Sequence, residues 1–363
     1  MAAGFAQWGN DLYTGRRSYD IVGRRRIWYS ISAVLVVISC ILLVKPGLNP
    51  GIEFKGGSQF IVSNIDTSQQ QLAIDTVKSV QPDESPEVTK LGSDSLRIQT
   101  AELTDDQVQD VKQALMTSFD VSEDDVATAF IGPTWGKDIS QKAIKGILVF
   151  LLFVTVVMTI YFRNWRMAIA GLVALFHDLI ITVGVYAAVG WEVTPATVIG
   201  FLTILGYSIY DTVVVFDKVR ENTADTLDQS RFTYAEKANL AVNQTLVRSI
   251  NTSVVALLPV SAILFVGAAI LGAGTLRDIA LALFVGMLIG TFSSIFLATP
   301  LEVTLREREP AIRDHTRKVL AARGASGTEG VDEQELAGVV RSAGQLRPGA
   351  HQGQGAQPKK RKK

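Results

Sequence analysis

Six apolar stretches punctuate this chain, each near the roughly 20 residues that cross a hydrocarbon core. They cover residues 27–44, 146–162, 167–190, 193–216, 249–271 and 279–301. Between the first and second lies a polar segment, 45–142, with a different rhythm. Alternating apolar positions predict a strand over 58–64. Thr67 with Gln70 has the spacing of a capping box and predicts a helix start. Strands follow over 87–90 and 95–100, with a turn at 91–94. Thr104 with Gln107 forms a second box, and Val108, Val111 and Leu115 then recur at helical spacing. A last strand covers 125–131. The pattern predicts an α-helical polytopic membrane protein with six transmembrane helices and a small extracytoplasmic α+β domain of ferredoxin-like βαββαβ order.

Charge orients the spans, because short cytoplasmic loops are enriched in Lys and Arg. Arg16, Arg17, Arg24, Arg25 and Arg26 precede the first span, so residues 1–26 are expected in the cytoplasm. Arg163 and Arg166, then Lys218, Arg220 and Arg231, fall on the same side. So do Arg306, Arg308 and the basic run 359–363. The turns 190–194 and 272–278 carry little positive charge and fall outside with segment 45–142, where acids outnumber bases about two to one. The connector 217–248 contains a capping box, Thr233 with Glu236, and predicts a helix from Tyr234. The tail 302–363 is expected to be basic and largely disordered, its apolar periodicity being lost beyond about Ala321.

Composition agrees with a membrane protein: 48% of residues are hydrophobic and 19% charged, below the roughly 25% charged of a soluble domain. The formal charge of zero hides the local asymmetry. One cysteine, Cys40, excludes an intramolecular disulfide, and His177, His315 and His351 are too scattered to suggest a metal site. No phosphate loop or activated nucleophile stands out, so neither an enzyme nor a cofactor or metal is expected. No cleavable signal peptide is apparent, and the first span reads as retained.

Three charges interrupt the apolar stretches. Asp178 lies in the third and Asp211 in the fourth, while Arg248 leads into the fifth. An ionised aspartate at the bilayer centre costs about 2.5–3.5 kcal/mol on insertion scales. Thr203, Tyr207 and Asp211 recur every four residues and share one face. Gln244, Arg248, Asn251 and Thr252 form a second stripe, and Asp178 with Thr182 a third. Gly206 and Ser208 are small enough to admit a neighbouring backbone. If the stripes meet, Asp211 pairs with Arg248, and a proton on the acid makes or breaks the pair. The plainer alternatives are snorkelling of Asp211 and Arg248 to the headgroups and a structural hydrogen bond between Asp178 and His177.

The ordered motifs resemble the SecD/SecF family of protein-translocase subunits, within the resistance–nodulation–division superfamily. The resemblance covers about residues 16–308. It rests on Gly51-Ile52-Glu53-Phe54-Lys55-Gly56-Gly57, Gly132-Pro133, Phe176-His177-Asp178, the run from Gly206 to Asp217, Glu221-Asn222, and the run from Asn243 to Ser253. It implies an accessory role in protein export, driven by the proton gradient. The implied partners are SecD, the SecYEG channel, its ATPase indirectly, the translocating preprotein and the bilayer, with no nucleic acid. It implies a proton pathway through Asp211, Arg248 and Thr252, to which Asp178 is added from the pattern. Gly51, Glu53, Phe54, Gly56, Gly57, Gly206 and Asn251 are implied as structural or motif positions. Glu53 replaces the family's frequent Asp and keeps the charge. Tyr210 replaces its frequent Asn.

Two other functions fit a six-span protein. A small-solute exporter of the same superfamily needs a larger external region than about 100 residues. A non-transporting scaffold predicts that Asp211→Asn is silent.

Overall fold

The computed structural model describes residues 2–267, 274–326 and 334–338. In chain order it contains α1 (Ala2–Thr14), α2 (Arg25–Val44), β1 (Asn49–Pro50), α3 (Ile52–Lys55), β2 (Gly57–Val62), α4 (Gln70–Val80), β3 (Glu87–Leu91), β4 (Ser95–Thr100), α5 (Asp105–Phe119) and β5 (Val126–Ile131). Then come α6 (Pro133–Phe162), α7 (Trp165–Val189), β6 (Glu192–Val193), α8 (Pro195–Thr223), α9 (Tyr234–Ala262), α10 (Gly274–Ser293), α11 (Thr299–Arg306) and α12 (Pro310–Ser326). Among the described residues, six helical stretches are long and apolar enough to cross a membrane, as expected. The chain divides into two compact units.

The larger unit comprises Arg26–Thr212 and Ser249–Ala298. Its polar part is a four-stranded antiparallel sheet ordered β3-β4-β2-β5. With α4 and α5 this is the split βαβ arrangement read from the sequence. Phe60 on the central strand β2 faces Ile98 on one side and Thr128 on the other. Alternate residues point to one face, so Phe60, Val62, Leu96 and Ile98 gather against Ala73 and Val77 of α4 and Val111 and Leu115 of α5.

The Thr104–Gln107 capping box is present, but the expected Thr67–Gln70 box is not. Asp66 instead accepts the Ser68 N–H at 2.8 Å, which turns the chain, and α4 starts at Gln70.

α6 begins at Pro133, well before the expected residue 146. Proline suits the first helical position, where its missing N–H costs nothing. Hydropathy had marked only the apolar part of the helix. The added turns support the Gly-rich motif. A Cβ at Gly136 would lie 2.7 Å from the Phe54 carbonyl oxygen, so α3 rests on α6 backbone to backbone. Gly57 sits at φ 141°, with the Thr100 carbonyl oxygen 2.4 Å from where a Cβ would be, which only glycine accommodates.

Span five is the continuation of the connector helix: α9 runs unbroken from Tyr234 past Pro259, and a π-helical turn follows at Ile263–Gly267. Residues 268–271 of the expected span and 272–273 of the expected turn lie outside the described residues, and 274–278 of that turn are the first residues of α10. Span six contains a second π-helical turn, Ser294–Ala298, before α11.

The smaller unit comprises Met1–Arg25, Val213–Arg248 and Thr299–Lys363. Asn239 and Asn243, one turn apart on α9, hold the turn that leads from α1 into α2. Asn239 Oδ1 accepts from the N–H groups of Ile21 and Val22 at 2.9 and 3.1 Å. Asn243 Oδ1 accepts from Tyr19 N–H at 2.8 Å and its Nδ2 donates to Tyr19 O at 2.9 Å. The Thr233–Glu236 box is closed by bonds of 2.8 and 3.3 Å.

Within the expected tail, residues 302–326 and 334–338 are described. α12 reaches Ser326, and Arg323 clamps Glu236 with bonds of 2.6 and 2.9 Å. Such a bidentate pair offsets the weak apolar periodicity. Residues 334–338 are also helical. The run 359–363 lies outside the described residues.

Candidate functional site

Asp178 and Asp211 carry carboxylates deep inside the apolar helices of the larger unit. Asp178 on α7 is fully buried and Asp211 on α8 is 3% exposed. Each is met by hydroxyl groups, which supply hydrogen bonds without adding charge.

Asp178 is a junction of three helices. Its Oδ2 accepts from Ser208 Oγ of α8 at 2.5 Å and from Ser293 Oγ of α10 at 2.8 Å. Its Oδ1 lies 3.0 Å from Nδ1 of His177. Thr182 turns back to the Asp178 carbonyl instead of joining the carboxylate. The partners fit the structural hydrogen-bond alternative weighed for this acid. Gly290 makes room: a Cβ there would lie 3.1 Å from Ser208 Cβ and 3.5 Å from Asp178 Oδ2. The expected close approach at Gly206 does not occur, since a Cβ there would meet nothing within 4 Å. Helix rotation puts Gly206 away from α10 while Gly286 and Gly290 face α8.

Asp211 lies one turn along α8 from Ser208. Its Oδ1 accepts from Ser249 Oγ of α9 at 2.8 Å. A chain of hydroxyls lies nearby. Tyr207 OH donates to Ser253 Oγ at 3.3 Å, and Ser253 Oγ is 2.6 Å from Thr291 Oγ1 of α10. Thr212 Oγ1 and Ser294 Oγ, 3.0 Å apart, join α8 to the π-helical turn that follows α10. Such groups both donate and accept, so they suit a hydrated proton path or a tight helix contact equally.

Two serines of α9 add to the stripe expected there. Ser249 is buried and reaches the acid, and Ser253, one turn on, is buried beside Tyr207 and Thr291; Arg248 and Asn251 are exposed and Thr252 is half-buried. Gln244 instead accepts from Asn222 Nδ2 at 3.0 Å. On α8, Thr203 is exposed and bonds back to Ile199 O. Tyr210 points outward, 51% exposed, beside the acid. Ser208, Ser249 and Ser293, the acid partners, and Ser253 beside them were not singled out in those roles. Their signal was the four-residue spacing of Ser249 and Ser253 in the span that follows Arg248.

Gly51, Glu53, Phe54, Gly56 and Gly57 line the junction between the first span and the sheet. Phe54 packs against the cluster of Tyr186, Val193 and Phe201 at the tops of α7 and α8. Among the described residues no group of three His, Cys, Asp or Glu side chains is placed to hold a metal ion.

A multi-pass membrane protein with acids buried at helix junctions and one small α+β domain is a class with known members. The family model for the C-terminal part of the protein export membrane proteins SecD/SecF matches residues 111–308, and that for the SecD/SecF GG motif matches residues 41–63. The chain belongs to the SecD/SecF family.

It is 47% identical to a protein translocase subunit SecF of Streptomyces coelicolor, over 91% of this chain and 88% of that one. A protein translocase subunit SecF of Mycobacterium tuberculosis is 41% identical, over 94% and 82%. The crystal structure of SecDF from Thermus thermophilus, a translocon-associated membrane protein, matches with a TM-score of 0.68 at 28% identity. That match covers 81% of this chain and 39% of the longer SecDF chain.

Proposed function

We propose that this chain is an accessory subunit of the Sec protein-export machinery that couples the proton gradient to late steps of preprotein translocation. It works with a SecD partner and the SecYEG channel in the plasma membrane, with both termini in the cytoplasm and the sheet domain outside. Asp211 carries the proton, with Arg248 and Thr252 in the same pathway and Asp178 holding the neighbouring helices. The observation that carries this reading is the burial of Asp211 among apolar helices in the family-matched region, with the Ser249 hydroxyl on its carboxylate. One charge crossing 100 mV releases about 2.3 kcal/mol, enough to shift a two-state helix arrangement more than tenfold.

Vesicles supplied with the partner subunits and either Asp211→Asn or Arg248→Met test the reading. Both variants are expected to insert and to bind SecD, yet to lose gradient-dependent stimulation of preprotein export. Normal stimulation would remove the proton-relay role.

A further inference from the structure

The turn between α7 and α8 meets the external sheet at one carboxylate. Glu192 opens β6, which pairs in parallel with β1. Arg97 Nη1 of β4 donates to Glu192 Oε2 at 3.1 Å, and Gln99 Nε2, two residues along the same strand face, donates to Oε1 at 2.7 Å. The helices that carry Asp178 and Asp211 are thus joined to the sheet through Glu192.

Two atoms in this cluster are unspent. Arg97 Nε is a buried donor without an acceptor, and Glu53 Oε2 is a buried acceptor without a donor. Glu53 and Glu192 converge on Gly51, where a Cβ would lie 2.5 Å from Glu53 Oε2 and 2.6 Å from Glu192 Oε1. One guanidinium therefore has two carboxylates within its surroundings and holds one of them.

We propose that Arg97 exchanges between Glu192 and Glu53, that a proton on Glu53 keeps it on Glu192, and that this exchange sets the grip between the sheet and the α7–α8 turn. The use of that grip in export rests on the function proposed above.

The charge balance has a definite sign. Burial raises the Glu53 pKa above the usual glutamate value; its own backbone N–H opposes this, the charge of Glu192 adds to it and Arg97 opposes it. Other charges are near. Glu87, Lys90 and Asp278 line the cleft of about 190 Å³ beside Arg97 and Glu192. Lys55 on α3 and Lys137 and Asp138 on α6 are exposed to solvent. A protonated Glu53 leaves Glu192 as the anion that holds the guanidinium. An ionised Glu53 places a second anion there with a free oxygen. Because the folded value is raised, the Glu192 latch is complete below the usual glutamate range and is lost as pH rises through the Glu53 value.

Hydrogen exchange of the full chain in lipid nanodiscs tests this at the Gly51 N–H, which donates to Val193 O at 2.9 Å across β1 and β6. After correction for intrinsic rates, its protection is expected to fall about fivefold between about pH 5 and about pH 8, the interval that brackets a raised carboxyl. Glu53→Gln should hold the acidic level of protection throughout, and Glu53→Asp should restore the step. Arg97→Met should leave the amide weakly protected at every pH. A flat wild-type profile, or a Glu53→Gln profile with the wild-type step, would overturn the proposal. Export stimulation by the wild-type chain, measured separately, decides the export reading whatever the exchange result.

Discussion

Ser208 and Asp211 stand three residues apart on α8 and belong to different junctions. Ser208 gives its hydroxyl to Asp178 at 2.5 Å, whereas Asp211 receives one from Ser249 at 2.8 Å. One helix thus has an anchored carboxylate contact and, one turn further on, the acid assigned to proton transfer.

The two serines should separate when mutated. Ser208→Ala removes a donor from a fully buried carboxylate and is expected to cost about 0.6–1.7 kcal/mol in a detergent denaturation series, the range for hydrogen bonds between membrane helices. Gradient-dependent export should persist. Ser249→Ala is expected to cut that stimulation severalfold, and Ser249→Thr to recover most of it. Equal effects of the two alanine variants on export would contradict the separation.

The buried pair of the smaller unit is asymmetric. Lys237 is fully buried and its Nζ lies 2.7 Å from Oδ1 of Asp225, which is 31% exposed. Asp225→Asn strands a buried cation and should cost about 3 kcal/mol or more. Lys237→Met releases an acid that water reaches, and should cost clearly less. Thermal unfolding of both variants in the same detergent checks the order.

Acid should loosen the entrance to β5. The Ser122 hydroxyl and Asn64 lower the Asp125 pKa, helped by the Ser122 N–H. A lowered value makes this contribution complete above the usual aspartate range and lost as pH falls through the folded value. Exchange protection near Ser122 should therefore fall in acid, and Asp125→Asn should remove that dependence.

Much of the architecture was legible because apolar length and alternation are direct consequences of burial. The six spans and the βαββαβ order follow from residues such as Phe60, Val62, Val111 and Leu115. Capping boxes were less safe, because Asp66 competed with Thr67 for the local backbone. α1 went unread, although Leu12 is fully buried and Gly9 lies against Val247. At the acids, Asp178 and Asp211 stood out by charge alone. Their serine partners did not, because a serine in an apolar helix has the size of a packing residue until its neighbour across the interface is known. Gly206 and Gly290 illustrate the same limit: spacing names small residues but not which helix each one faces.

The joint at Gly132 sets the leverage of the external sheet. β5 ends at Ile131 and α6 begins at Pro133, so one residue separates the last strand from the second span. From Pro133 the helix rises about 20 Å, at 1.5 Å per residue, before the long apolar stretch begins. A tilt of about 10° at the membrane then swings the upper end through about 3.5 Å. Gly132 adds only one residue of length, and α3 rests on α6 at Gly136, so the sheet domain is the head of a crank, not a float on a tether.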